Sequence, residues 1–162
     1  MQGRFDLPVP EGTCYLASTA QAAARERVGP DIAASGRVAD SILRDRVVSA
    51  LELPADARAA NLDSDRASDR YGITAELSVM TPYAVPQAWA VALRSAGFDG
   101  IVGQLRFTLS RHHGLALFGQ SGARPDWRSD PAPQLLVDVV RDMGVRVISP
   151  PDDDQVSVIA PQ

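Results

Sequence analysis

The sequence predicts an α+β fold, a single mixed domain over residues 1–162. Three observations carry that expectation. VPQAWAVALRSAG (85–97) and PQLLVDVVRDMG (133–144) have helical apolar spacing, and each closes on a glycine. TCYLA (13–17), FDGIV (98–102) and LALFG (115–119) are short β-compatible runs. The two kinds of segment follow no regular strand–helix–strand rhythm, which argues against a doubly wound sheet.

Taken in order, Pro8, Pro10 and Gly12 predict a turn feeding the strand at 13–17. Ser18 or Thr19 suits the N-cap of a helix AQAAARERV, and Gly29-Pro30 is expected to stop it. SILRDRVVSALEL (41–53) is ambiguous, helical at its start and strand-like over RVVSALEL, with Pro54 ending it. ARAANL (57–62) is a strand candidate, and LDSDRASDRYGI reads as a short capped helix closed by Gly72. In the helix at 85–97, Pro86 sits near the first turn, and Trp89, Val91, Ala92 and Ala96 are expected to face inward. GVRVISPP and VSVIAP read as a terminal pair of strands joined by the acidic turn PPDDDQ. Between them and the central strands, GQSGARPDWRSDPAP (119–133) is a long Gly/Pro-rich connection, a type that often carries function.

The charge balance narrows the function classes. The net charge is −4 and all sixteen basic side chains are arginine, with no basic run, so no direct nucleic-acid partner is expected. The absence of lysine removes Walker-type phosphate loops and Schiff-base chemistry. One cysteine, Cys14, and the adjacent pair His112 and His113 make neither a disulfide nor a structural zinc site. No signal peptide and no membrane-length apolar run is legible, so a cytoplasmic chain with no membrane partner is expected.

The candidate chemistry gathers in GRFDLPVPEGTCYLASTAQAAARERVG (3–29), where Arg4, Tyr15 and Glu26 fall eleven residues apart on a turn, a strand and a helix. A guanidinium beside a glycine turn suits bidentate phosphate capture, although an ordinary surface arginine fits the same position. Tyr15 can stack on a ring or supply a phenol, or simply be half-buried. Glu26 lies between Ala22 and Ala23 on the helical wheel, over a shallow surface. It can accept from a ligand hydroxyl, or be a solvated partner of Arg25 and Arg27. Ser110 stands close to His112 and His113, yet no G-x-S-x-G elbow frames it, which leaves a serine hydrolase weakly supported. Trp89 reads as core and Trp127 as rim.

GRFD, CYLAST and AARERVG together resemble the RES-domain family, named for an arginine, a glutamate and a serine. The likeness continues through AELSVMTPYAVPQAWAVALRSAGFDGI, LALFG and MGVRVISPPDDDQVSVIAP, which are similar to actinobacterial-type members. The resemblance implies a fold like that of ADP-ribosyltransferases and a role as the toxin of a toxin–antitoxin pair, with a cognate antitoxin as partner and self-association allowed. It implies degradation of NAD+ at the nicotinamide–ribose bond, with phosphate or water as acceptor. NAD+ is then the substrate, with no metal and no bound cofactor. Carried over residue by residue, Glu26 stabilises the developing positive charge, Arg4 holds the diphosphate and Tyr15 borders the nicotinamide.

Two departures qualify the resemblance. The family's serine position falls near Leu105 in VGQLRFTLSRHHGLALFG, which makes Arg106 the retained member of that run and Ser110, five residues late, an alternative. Relatives also carry a segment before the glycine-arginine turn, which begins here at Gly3; a missing strand would expose a sheet edge. These departures motivate a second reading, a catalytically degenerate domain that binds a partner or nucleotide without turnover.

Overall fold

The computed structural model describes residues 3–108, 112–122 and 127–150. Its centre is a four-stranded mixed sheet in the order β1-β6-β5-β4. Strand β1 (Glu11–Ala17) runs antiparallel to β6 (His113–Gln120), with Tyr15 opposite Ala116. Strand β5 (Gly100–Gln104) lies antiparallel on the other side of β6, and β4 (Ala59–Asn61) pairs parallel with β5. The strand candidates at 13–17 and 115–119 are therefore strands, whereas the candidate at 57–62 is a strand only over Ala59–Asn61 and that at 98–102 is displaced to Gly100–Gln104. Consecutive burial of Ala116, Leu117 and Phe118 marks β6 as a strand covered on both faces, which is why its sequence is apolar without alternation.

Helix α1 (Ala20–Ser35) begins where the sequence predicts, since Thr19 is extended and its hydroxyl accepts from Ala22 N at 3.1 Å. It does not stop at Gly29-Pro30. The helix continues through Pro30 and ends at Gly36, whose φ of 69° is left-handed and whose N–H bonds Ile32 O. Pro30 removes one helical hydrogen bond, that to the Glu26 carbonyl. It lies exposed on the outer face, while buried Ala24 and Val28 and the partly buried Ile32 hold the turns on either side in a core. Packing outweighs the lost bond.

The ambiguous stretch at 41–53 divides into α2 (Asp40–Leu43) and the two-residue strand β3 (Val47–Val48). Helix α3 (Asp65–Tyr71) matches its expected caps, with the Ser64 hydroxyl accepting from Ala67 N at 3.2 Å and Gly72 at φ 65°. A 3₁₀ turn (Ala75–Ser78) precedes α4 (Ala84–Ser95). The inward face of α4 differs from expectation: Pro86 and Ala90 are buried, with Trp89 and Leu93 partly so, whereas Val91, Ala92 and Ala96 face solvent. The stripe at 86, 90 and 93 has helical spacing, and many alanines nearby made the competing stripe look equivalent.

Helix α5 (Leu136–Asp142) starts later than expected because Gln134–Leu135 forms β7, paired with β3. Strand β8 (Arg146–Ile148) pairs in parallel with β2 (Arg37–Ala39), a strand that sequence reading overlooked. The segment VSVIAP lies outside the described residues.

Two apolar clusters form among the described residues. One packs Phe5, Leu7, Leu62, Ile73, Leu77 and Ala90 against Ile101, Ala116 and Phe118 of the sheet. The other packs α1 against α5 through Ala24, Val28, Val38, Leu43, Val139 and Val140. Each valine, leucine, isoleucine or phenylalanine side chain buried this way contributes about 1.5–3 kcal/mol. No helix among the described residues is long and apolar enough to cross a membrane.

Candidate active site

The glycine-arginine turn is built around Tyr15. Its hydroxyl accepts from Phe5 N at 2.8 Å and donates to Asp6 Oδ1 at 2.9 Å, and Gly3 N also donates to the Asp6 carboxylate. Thr13, two residues back on the same face of β1, donates to Phe5 O at 2.8 Å and accepts from Leu7 N at 3.3 Å. From α4, Gln87 Nε2 donates to Gly3 O at 3.0 Å. A Cβ at position 3 would collide with the Tyr15 ring and hydroxyl, so a glycine is required before Arg4 by close approach. Partial burial, with the residue still 49% exposed, and then the bond to Asp6 raise the Tyr15 phenol above its ordinary value, so it stays neutral and serves as donor and acceptor rather than base.

Arg4 lies over the Tyr83 ring, 5.3 Å from its centroid. Its Nε is buried and has no hydrogen-bond partner among the described residues. An orphaned buried donor of this kind is uncommon in folded proteins and costs free energy until something accepts from it.

Glu26 bonds neither Arg25 nor Arg27. Its Oε2 accepts from Arg106 N at 3.1 Å, and its Oε1 accepts from Phe107 N at 2.6 Å and from the Thr108 hydroxyl at 3.2 Å. The carboxylate thus secures the loop after β5. Gly29, one turn along α1, gives that loop its seat, because a Cβ there would run into the Phe107 ring. The Arg106 guanidinium lies 5.2 Å from the same ring centroid.

Arg4, Tyr15, Glu26 and Arg106 therefore line one cavity of about 140 Å³. Three were singled out for their spacing and the fourth for its place after β5, and the fold brings all four together. Ser110 lies outside the described residues. A larger cleft of about 910 Å³ also borders Tyr15, Gly114 and Leu115. Its walls are the start of α1, the segment from Arg46 to Leu51, and Asp130 and Ala132 of the long connection. That size is within the ~300–1,000 Å³ of small-molecule sites. Beside it, His113 Nδ1 lies 3.2 Å from Asp63 Oδ2 and His112 Nδ1 lies 3.4 Å from Ser18 Oγ.

Sequence reasoning missed Tyr83, Gln87, Phe107 and Thr108. Each acts through a partner far away in the chain, and no local pattern announces such a contact. Trp127 is half-buried at the edge of a third pocket, which suits a rim residue, and Trp89 packs on the first apolar cluster.

A family model described as RES domain matches residues 1–138. No curated protein and no solved structure gives a match.

Proposed function

The chain belongs to the RES-domain family, and from that premise we propose that it cleaves the nicotinamide–ribose bond of NAD+, as the toxin of a toxin–antitoxin pair acting in the cytoplasm. The observation that carries the proposal is the shared cavity of Arg4, Tyr15, Glu26 and Arg106. Its volume of about 140 Å³ suits one six-membered ring; an engineered cavity of about 150 Å³ in another protein takes up benzene. The nicotinamide ring occupies this cavity, bordered by Tyr15.

Cleavage breaks the bond between the ribose anomeric carbon and the pyridinium nitrogen. The electron pair leaves with nicotinamide, which becomes neutral, and positive charge develops on the ribose. The Glu26 carboxylate, held in place by three donors, stabilises that charge electrostatically. Water or phosphate then forms the new carbon–oxygen bond and gives up a proton to solvent. Arg4 offers its unpartnered Nε–H to the substrate.

NAD+ loss and nicotinamide release by the purified chain, with and without phosphate, test the proposal. Glu26→Gln is expected to lower turnover about 10²–10³-fold, as removal of a charge-stabilising group does. Unchanged turnover in that variant would overturn the assignment.

The engagement of both Glu26 oxygens by the loop favours one alternative, a domain that binds nucleotide without turnover. It predicts ADP-ribose binding with no NAD+ consumption.

A further inference from the structure

Ser78 is 6% exposed, lines the cavity of Arg4, Tyr15, Glu26 and Arg106, and forms no side-chain hydrogen bond to another described residue. It ends the 3₁₀ turn Ala75–Ser78, which is fixed by its neighbours. Leu77 is buried in the first apolar cluster, and Val79 N and Met80 N both donate to Glu76 O. A polar side chain so enclosed is normally hydrogen-bonded. The buried Arg4 Nε also has no partner among the described residues, and it belongs to the same cavity. Two unanswered polar groups on a ring-sized space mark where a ligand's polar atoms belong.

The floor of this space is backbone. Gly103 on β5 and Gly114 on β6 are register partners, so both positions face the same side of the sheet, and both line the cavity. Glycine inside a strand is found where a ligand or another backbone comes close. The two glycines are unequal. A Cβ at Gly114 would run into Leu105 Cδ2, whereas a Cβ at Gly103 would meet nothing closer than Ser78 Oγ at 3.5 Å. Leu105 therefore covers one glycine, and space remains over the other, with the Ser78 hydroxyl across it. The cavity has an apolar edge at Leu105 and a polar edge at Ser78.

We propose that Ser78 is a specificity-determining residue, which together with the bare floor at Gly103 forms a slot for a planar aromatic ring carrying a primary amide. The inference rests on the nicotinamide reading of this cavity and adds the side chain that recognises the amide. A hydroxyl donates once and accepts twice, so Ser78 either donates to the amide oxygen or accepts from the amide nitrogen. The carbon edge of the ring faces Leu105. That asymmetry gives the ring one orientation, with its amide on the Ser78 side. A ring without the amide leaves the hydroxyl unanswered, which is how a polar site rejects an analogue that lacks the matching group.

Nuclear magnetic resonance titration of the full chain with nicotinamide, benzamide and pyridine tests the slot in the parent, Ser78→Ala and Gly103→Ala. Ser78→Ala gives up no hydrogen bond to a described residue, so it is expected to keep Tm. It is expected to weaken nicotinamide and benzamide by about threefold to tenfold, the effect of one neutral hydrogen bond, with pyridine unchanged. Gly103→Ala is expected to fold, since nothing stands closer than 3.5 Å to its Cβ, and to weaken all three probes by filling the slot. In NAD+ assays Ser78→Ala is expected to raise KM by a similar factor and to keep kcat. Amide binding unchanged in Ser78→Ala, or pyridine weakened as much as the amides, would overturn the inference, as would a parent that binds none of the probes. NAD+ turnover with an unchanged KM in Ser78→Ala removes the slot and leaves the cleavage reading intact. Ser78-dependent amide binding without NAD+ turnover does the reverse.

Discussion

Phe107 N donates to Glu26 Oε1 at 2.6 Å, tying the middle of α1 to the loop after β5 across 81 residues of chain. The same carboxylate reaches Arg106 N and the Thr108 hydroxyl. A group assigned to charge stabilisation is thus also the anchor of one wall of its own cavity. Activity loss in a Glu26 variant needs to be separated from loop release.

Thr108→Val makes that separation. It removes one donor to Glu26 and keeps the carboxylate, so it is expected to lower stability by about 0.5–1.5 kcal/mol with turnover within a few-fold of the parent. Glu26→Gln presents an amide to two backbone N–H groups and is expected to cost about 1–3 kcal/mol as well as activity. Urea midpoints beside NAD+ assays test both, and equal activity losses in the two variants would show that Glu26 serves only the loop.

Gly29→Ala is expected to destabilise by about 1–3 kcal/mol, because its Cβ enters the space of the Phe107 ring. Phe107→Ala removes the obstacle. The double variant should therefore be more stable than the sum of the single effects by about 0.5–3 kcal/mol, the coupling of two residues in contact. Additive costs would mean that the two positions do not meet.

Tyr15 titrates above its ordinary value in the folded chain, chiefly through burial and then through Asp6. The folded state holds that proton more tightly than the unfolded state. Its contribution is fully present below the unfolded value of about 10 and is lost as pH rises through the folded value. The stability gap between the parent and Tyr15→Phe should be constant through neutral pH and shrink in the alkaline range. A gap that widens with pH would contradict the assignment.

Arg4→Met removes a buried N–H that no group among the described residues accepts and gives up the contact with Tyr83. The relief offsets a cation–π loss of about 0.5–1 kcal/mol, so Tm is expected to change little while NAD+ affinity falls. A large loss of Tm would recast Arg4 as structural.

Much of the local structure was legible because its causes are local. Thr19 and Ser64 satisfy N–H groups within three residues, and the glycines at 72, 97 and 144 close their helices with positive φ. The apolar runs that became β5 and β6 needed only their composition. The recurrence of Arg4, Tyr15 and Glu26 was equally visible, because a turn, a strand and a helix follow one another within thirty residues.

What the sequence determined by itself was therefore the α+β character, most element positions and four members of the shared cavity, Arg4, Tyr15, Glu26 and Arg106. Only the tertiary structure decided that α1 runs through Pro30, that β2 meets β8, which face of α4 turns inward, and that Glu26 secures the loop after β5. Short-range preferences are worth a few tenths to about one kcal/mol per residue, and burial of one aliphatic side chain contributes about 1.5–3 kcal/mol. Where the two disagree, packing between segments distant in the chain prevails, and the sequence around any single residue does not contain it.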